Sequence, residues 1–132
     1  MMDVKSFFDP DTSTVTHLVI DPKTKSCAVI DPVMEYDAVT GALKTGAADK
    51  LVQYIQDNGL KLEWLLETHI HADHLTASAY IRDQIGGKIA IGDKITDGLN
   101  YWVPVFHTDS ATPPEGRQVD KLLNTGEKIT LG

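Results

Sequence analysis

Three histidines and an aspartate, His69, His71, Asp73 and His74, fall within six residues in the stretch Thr68-His69-Ile70-His71-Ala72-Asp73-His74-Leu75-Thr76. Neutral imidazole is the commonest metal ligand, and a carboxylate adds negative charge and a harder oxygen donor. The run before them, Leu62-Glu63-Trp64-Leu65-Leu66-Glu67, is rich in large apolar side chains and short enough for a buried strand, although periodicity alone does not exclude a helix. If the extended geometry continues through the motif, His69 and His71 project from the same face, because successive strand side chains alternate. Two histidines so placed can grip a single ion. Asp73 and His74, further along, can supply a second ion or orient the ligands of the first. The bland alternative is a polar loop whose histidines cap and hydrogen-bond. That reading is preferred for one histidine alone, but not for this spacing after an apolar strand.

The elements that must position these groups follow from the flanking sequence. Asp73 to Gly86 reads as a helix with Asp73 at its N-cap, which puts the motif at a strand-to-helix junction. Open α/β structures tend to place ligands there, at the carboxyl ends of strands. Val4 to Phe8 reads as a short strand and Thr14 to Ile20 as a β-branched one. The turn Asp21-Pro22-Lys23-Thr24-Lys25 joins the latter to Ser26–Ile30 as a hairpin. Met34 to Gly46 reads as a polar connection, and Ala47 to Asn58 as a helix stopped at Asn58-Gly59. Lys88 to Ile91 is a further strand, and Asp93 to Leu99 a short helical segment. Tyr101 to Gln118 is an irregular stretch with three prolines, its Trp102, Val105 and Phe106 packing onto the body. Leu122 to Leu131 reads as a hairpin turning at Asn124-Thr125-Gly126. His17, mid-strand, is expected to be exposed or satisfied, and the lone His107 is not expected to bind metal. Strands alternating with helices argue for a mixed sheet flanked by helices, an α/β (α+β) class.

The stretch Thr68–Thr76 resembles the His-x-His-x-Asp-His motif of the metallo-β-lactamase superfamily. Its form His-Ala-Asp-His-Leu-Thr is most similar to the persulfide dioxygenase branch. Ser13–Val19, the strand Ala28–Val33 and Asn124–Ile129 agree with the same family. The resemblance implies that residues 1–132 are the N-terminal portion of one domain, the first half of an αββα sandwich. It implies metal at His69, His71, Asp73 and His74, with Asp73 also the catalytic candidate. In an iron-dependent persulfide dioxygenase, His69 would be the Fe(II) ligand, the other motif groups would surround it, and glutathione persulfide would be oxidised to sulfite. In a glyoxalase II-like thioester hydrolase, all four would be direct ligands of one or two zinc ions, and the substrate a glutathione thioester. The family's third histidine and its later aspartate have no match before Gly132. The chain is therefore expected to be a truncated portion that binds metal loosely, is inactive alone and self-associates through an uncovered apolar sheet face.

Composition is consistent with one modest globular domain: 132 residues, 42% hydrophobic, with 19 acidic against 12 basic residues. Without a basic cluster, nucleic acid and anionic membrane surfaces are not expected partners. No stretch approaches the ~20 apolar residues of a bilayer span, so a cytoplasmic protein is expected. Cys27, the one cysteine, cannot form an intrachain disulfide and reads as a buried strand thiol.

Overall fold

The computed structural model describes residues 1–71, 74–106 and 119–132, without the side chain of Phe106. Its main sheet has six strands in the order β1-β2-β3-β6-β8-β9: β1 (Asp3–Asp9), β2 (Thr14–Ile20), β3 (Ser26–Ile30), β6 (Lys61–Glu67), β8 (Lys88–Gly92) and β9 (Lys121–Leu123). β1, β2 and β3 are antiparallel neighbours, whereas β3, β6, β8 and β9 run parallel. Parallel neighbours need long crossovers, and helices supply them. α1 (Gly46–Asp57) lies between β3 and β6 in the chain, and α2 (Ser78–Ile85) between β6 and β8.

The β2–β3 hairpin forms because Asp21 organises its turn. Its carboxylate accepts hydrogen bonds from the Lys23 N–H and the Thr24 hydroxyl, and Lys25 closes the turn at φ +63°. Helix α1 buries Ala48, Leu51, Val52 and Ile55, the three- and four-residue spacing of an amphipathic face. Gly59, at φ +61°, ends it by adopting the left-handed backbone, and the Leu60 N–H returns to the Ile55 carbonyl. These side chains meet Leu18, Cys27, Val29, Leu62, Leu65 and Ile89 from the sheet and Ala77 and Ile81 beside and within α2 in one core. His17 is satisfied by the Ser6 hydroxyl at 2.8 Å.

Four expectations are corrected. The Met34–Gly46 connection contains two strands, β4 (Val33–Tyr36) and β5 (Leu43–Lys44), which join β7 (Leu75–Thr76) in a separate small sheet. Because β7 takes those residues, the second helix starts at Ser78 with Ala77 at its N-cap, and Asp73 does not cap it. α3 (Ile95–Phe106) is longer than the short segment expected and contains Pro104. On it Trp102 and Val105 are half exposed, while Val103 is buried. Lys121–Leu123 pairs in parallel with β8, and after the turn at Asn124–Glu127 no strand returns, so there is no hairpin. His107 lies outside the described residues. Among the described residues no helix is long and apolar enough to cross a membrane.

Cys27 is fully buried in β3, and burial, followed by the Glu63 carboxylate, pushes its thiol up to about 11. The thiolate is the reactive form. Cys27 is therefore expected to resist a disulfide-exchange reagent at pH 8 in the folded chain and to react fully in denaturant; rapid labelling without denaturant would contradict this packing.

Candidate metal centre

β6 ends at Glu67, and the chain bends at residues 68 and 69, so strand alternation does not extend into the motif. His69 and His71 converge nevertheless. Their ring centroids are 4.3 Å apart, and those of His71 and His74 are 4.1 Å apart. What aligns the rings is a pair of tethers to one short segment, Asp31–Met34. At the start of the loop, Asp31 receives the Thr68 N–H at 2.8 Å and the Thr68 hydroxyl at 2.7 Å. At its end, β7 pairs with β4 (Val33 with Thr76, Met34 with Leu75), and the Ala77 N–H reaches the Pro32 carbonyl.

Asp31 is placed for this by an uncommon backbone. It sits at φ +51°, a conformation that Asp and Asn reach more readily than other non-glycine residues. Its own N–H is held by the Leu66 carbonyl at the carboxyl end of β6. Burial pushes the Asp31 carboxyl up, but the Thr68 N–H and hydroxyl and the His71 ring outweigh burial and hold it below the usual carboxylate range.

The acceptors around the rings fix their tautomers. The Thr68 proton goes to Asp31, so His69 Nδ1, 2.8 Å from the Thr68 oxygen, must donate to it and Nε2 keeps the lone pair. His74 Nδ1 lies 2.9 Å from the Leu75 carbonyl, which can only accept, and again Nε2 keeps the lone pair. His71 Nε2 lies 3.0 Å from Asp31 Oδ1 and 3.0 Å from Glu67 Oε2, so it carries the proton and the ring's lone pair is on Nδ1. His74 is 9% exposed, and its Nε2 has no hydrogen-bond partner among the described residues. A buried lone pair with no donor facing it is costly unless something else occupies it. An ion held by imidazoles fits that requirement, so the donor set is chemically suited to a metal.

The structure thus brings His69, His71 and His74 together, while Asp73 lies outside the described residues. It adds two carboxylates that the sequence reading passed over, Asp31 and Glu67, whose oxygens lie within 4.8 Å of a His71 nitrogen. The available signal was an acidic residue ending each of two apolar strands, Ile30-Asp31 and Leu66-Glu67. A second acidic group, Asp9, Asp11 and Glu35, has a structural account for two members: Asp9 caps the Thr12 turn, and Glu35 accepts from Ala47 at the start of α1. The His71 and His74 rings border two clefts. One, of about 320 Å³, contains that acidic group; the other, of about 360 Å³, has apolar walls including Ile70, Ile89, Ile91 and Leu99.

Comparison with known proteins agrees with this geometry. The profile of the metallo-beta-lactamase superfamily matches residues 10–132. The chain is 40% identical over 131 residues to a protein of Burkholderia pseudomallei named "Probable metallo-hydrolase", covering 99% of this chain and 45% of that protein. It is 32% identical over 129 residues to the mitochondrial persulfide dioxygenase of Homo sapiens, covering 98% of this chain and 39% of that protein. The solved structure of the B3 metallo-beta-lactamase BLEG-1 shares the fold, with a TM-score of 0.62 at 22% identity over 98% of this chain and 57% of that one. The chain therefore spans less than half the length of either of these relatives.

Replacing Asp31 tests the tether. Asp31→Ala should cost about 1–3 kcal/mol, because it strands the Thr68 donors and puts alanine at positive φ. Asp31→Asn, which tolerates the backbone and keeps one acceptor, should cost less. A carboxyl held low contributes stability that is present above about pH 4 and lost as pH falls through its lower folded value. The gap in Tm between wild type and Asp31→Asn, measured on metal-free chain, should accordingly be full at pH 6 and shrink toward pH 2.

Proposed function

The chain belongs to the metallo-beta-lactamase superfamily, and from that premise we propose that it is the N-terminal portion of an iron-dependent persulfide dioxygenase that oxidises glutathione persulfide to sulfite. The observation that carries the reading is the convergence of three imidazoles, one with a buried, unpartnered Nε2 among the described residues, beside an apolar cleft at the carboxyl ends of β6 and β8. The likeness to the human persulfide dioxygenase across nearly the whole chain supports the choice of chemistry.

In this reading His69 is the Fe(II) ligand, with His71, Asp73 and His74 around it, and further ligands come from the part of the domain that follows residue 132. Bound there, iron would supply the electron chemistry between the persulfide sulfur and O₂. The protein's own groups do the rest. Thr68 holds the His69 ring through Nδ1, the Leu75 carbonyl holds His74, and Asp31 holds both Thr68 and His71. Ile89, Ile91 and Leu99 give the outer sulfur a dry wall. Persulfide, dioxygen and water together become thiol and sulfite, so no further reductant is consumed. Asp73 is the candidate to handle the proton.

A second reading is a glyoxalase II-like thioester hydrolase holding two zinc ions, with His69, His71, Asp73 and His74 among the direct ligands. The relative at 40% identity, a probable metallo-hydrolase, favours it.

Metal content separates the two. A chain extended to the length of its relatives is expected to purify with one iron and to consume O₂ when given glutathione persulfide. Two zinc ions, thioester turnover and no oxygen uptake would replace the first reading by the second. The 132-residue chain assayed beside it is expected to lose metal on dialysis and to turn over neither substrate.

A further inference from the structure

Glu67 is the last residue of β6, and its side chain is only 7% exposed. Carboxylates are almost never so buried unless they are paired. The two oxygens of Glu67 divide the work. Oε2 lies 3.0 Å from His71 Nε2, while Oε1 receives the hydroxyls of both Thr76 and Ser78. Thr76 belongs to β7, and Ser78, itself buried, is the first residue of α2. One carboxylate therefore joins the end of the central strand, the middle ring of the histidine cluster and the start of the helix that follows it.

Resting on the metal-centre reading above, we propose that Glu67 is a positioning residue for the bound ion. It shares the single His71 Nε2 proton with Asp31, holds that ring so that Nδ1 is presented for coordination, and transmits the position of α2 to it. Asp31 alone leaves the ring one acceptor about which it can swing. Two acceptors on separate strands, β6 and the end of β3, define a plane. His71 is also the ring in contact with both other imidazoles, at 4.3 and 4.1 Å, so fixing it fixes the cluster. A carboxylate behind a ligating imidazole raises its basicity as well as orienting it. The alternative is that Asp31, Glu67 and His71 Nε2 themselves surround an ion. The saturation of the oxygens argues against it: both Asp31 oxygens are taken by Thr68, and Glu67 Oε1 by two hydroxyls.

The test compares Glu67→Gln and Glu67→Ala with wild type in the chain extended to the length of its relatives. Zn²⁺ affinity is measured by chelator competition, Co²⁺ binding by absorption spectra, and the apo His71 tautomer by ¹⁵N NMR. Wild-type His71 is expected to be the Nε2–H tautomer without metal. Glu67→Gln should weaken Zn²⁺ binding by about 10-fold and Glu67→Ala by up to about 100-fold, the range for groups that support a ligand. Metal stoichiometry and the positions of the Co²⁺ bands should not change, because no ligand has been removed. Unchanged affinity in Glu67→Ala would overturn the proposal, as would a lost equivalent of metal or a shifted Co²⁺ spectrum, which would make Glu67 a ligand. An Nδ1–H tautomer of His71 in the wild-type apo chain would overturn it even if both variants failed to fold. A wild-type chain that binds neither ion would defeat the metal reading instead, and the tautomer would still decide whether Glu67 orients His71.

Discussion

The Asp31 carboxylate is the interaction on which the rest of the site depends. Thr68 and His71 both lean on it, and through Thr68 so does His69. Its backbone is bonded to Leu66 in the central strand, so the site is referenced to the sheet and not to the loop that contains the histidines. A left-handed aspartate before proline is a strained choice, of order 1–3 kcal/mol, that persists only where surrounding structure determines it. Here three separate hydrogen bonds on its two oxygens, together with the β4–β7 ladder just beyond, determine it.

Much of this frame was legible in the chain. β2, β3 and β6 were marked by β-branched and large apolar residues, α1 by Leu51 and Ile55 at a spacing of four and by its Asn58-Gly59 stop, and the cluster by histidine spacing. What escaped was fixed by distant partners. Leu75-Thr76 is too short and polar to announce a strand; it becomes one because Val33 and Met34 are there to pair with it. Asp73 looked like a helix cap because a capping residue stood where the pattern changed, yet the small sheet delays α2 to Ser78. The carboxylates behind His71 were marked only by their place at the ends of two apolar strands, and their partner was not legible for a related reason. Asp31 is distant in sequence from the ring it supports, and Glu67 reaches its ring by the chain folding back, not by helical spacing.

The surroundings of the cluster are asymmetric. One border carries Asp9, Asp11 and Glu35, the other isoleucine and leucine side chains. An anionic molecule is repelled by the first and gains little electrostatically from the second, so its approach to the imidazoles is governed by apolar contact and by the ion itself.

The separation of Thr68 from Asp31 along the chain, 37 positions, bears on how the protein acquires its site. His69 and His71 are neighbours in any conformation, including the unfolded one, and a transition ion can be gripped by such a pair before anything else has formed. The Asp31 contacts that orient His69 and His71, by contrast, come into being only once β3 has docked against β6. Early capture of an ion by the nascent polypeptide would thus be weak and geometrically loose, then tightened by sheet closure. Refolding in the presence of the ion would follow a different time course from refolding in its absence.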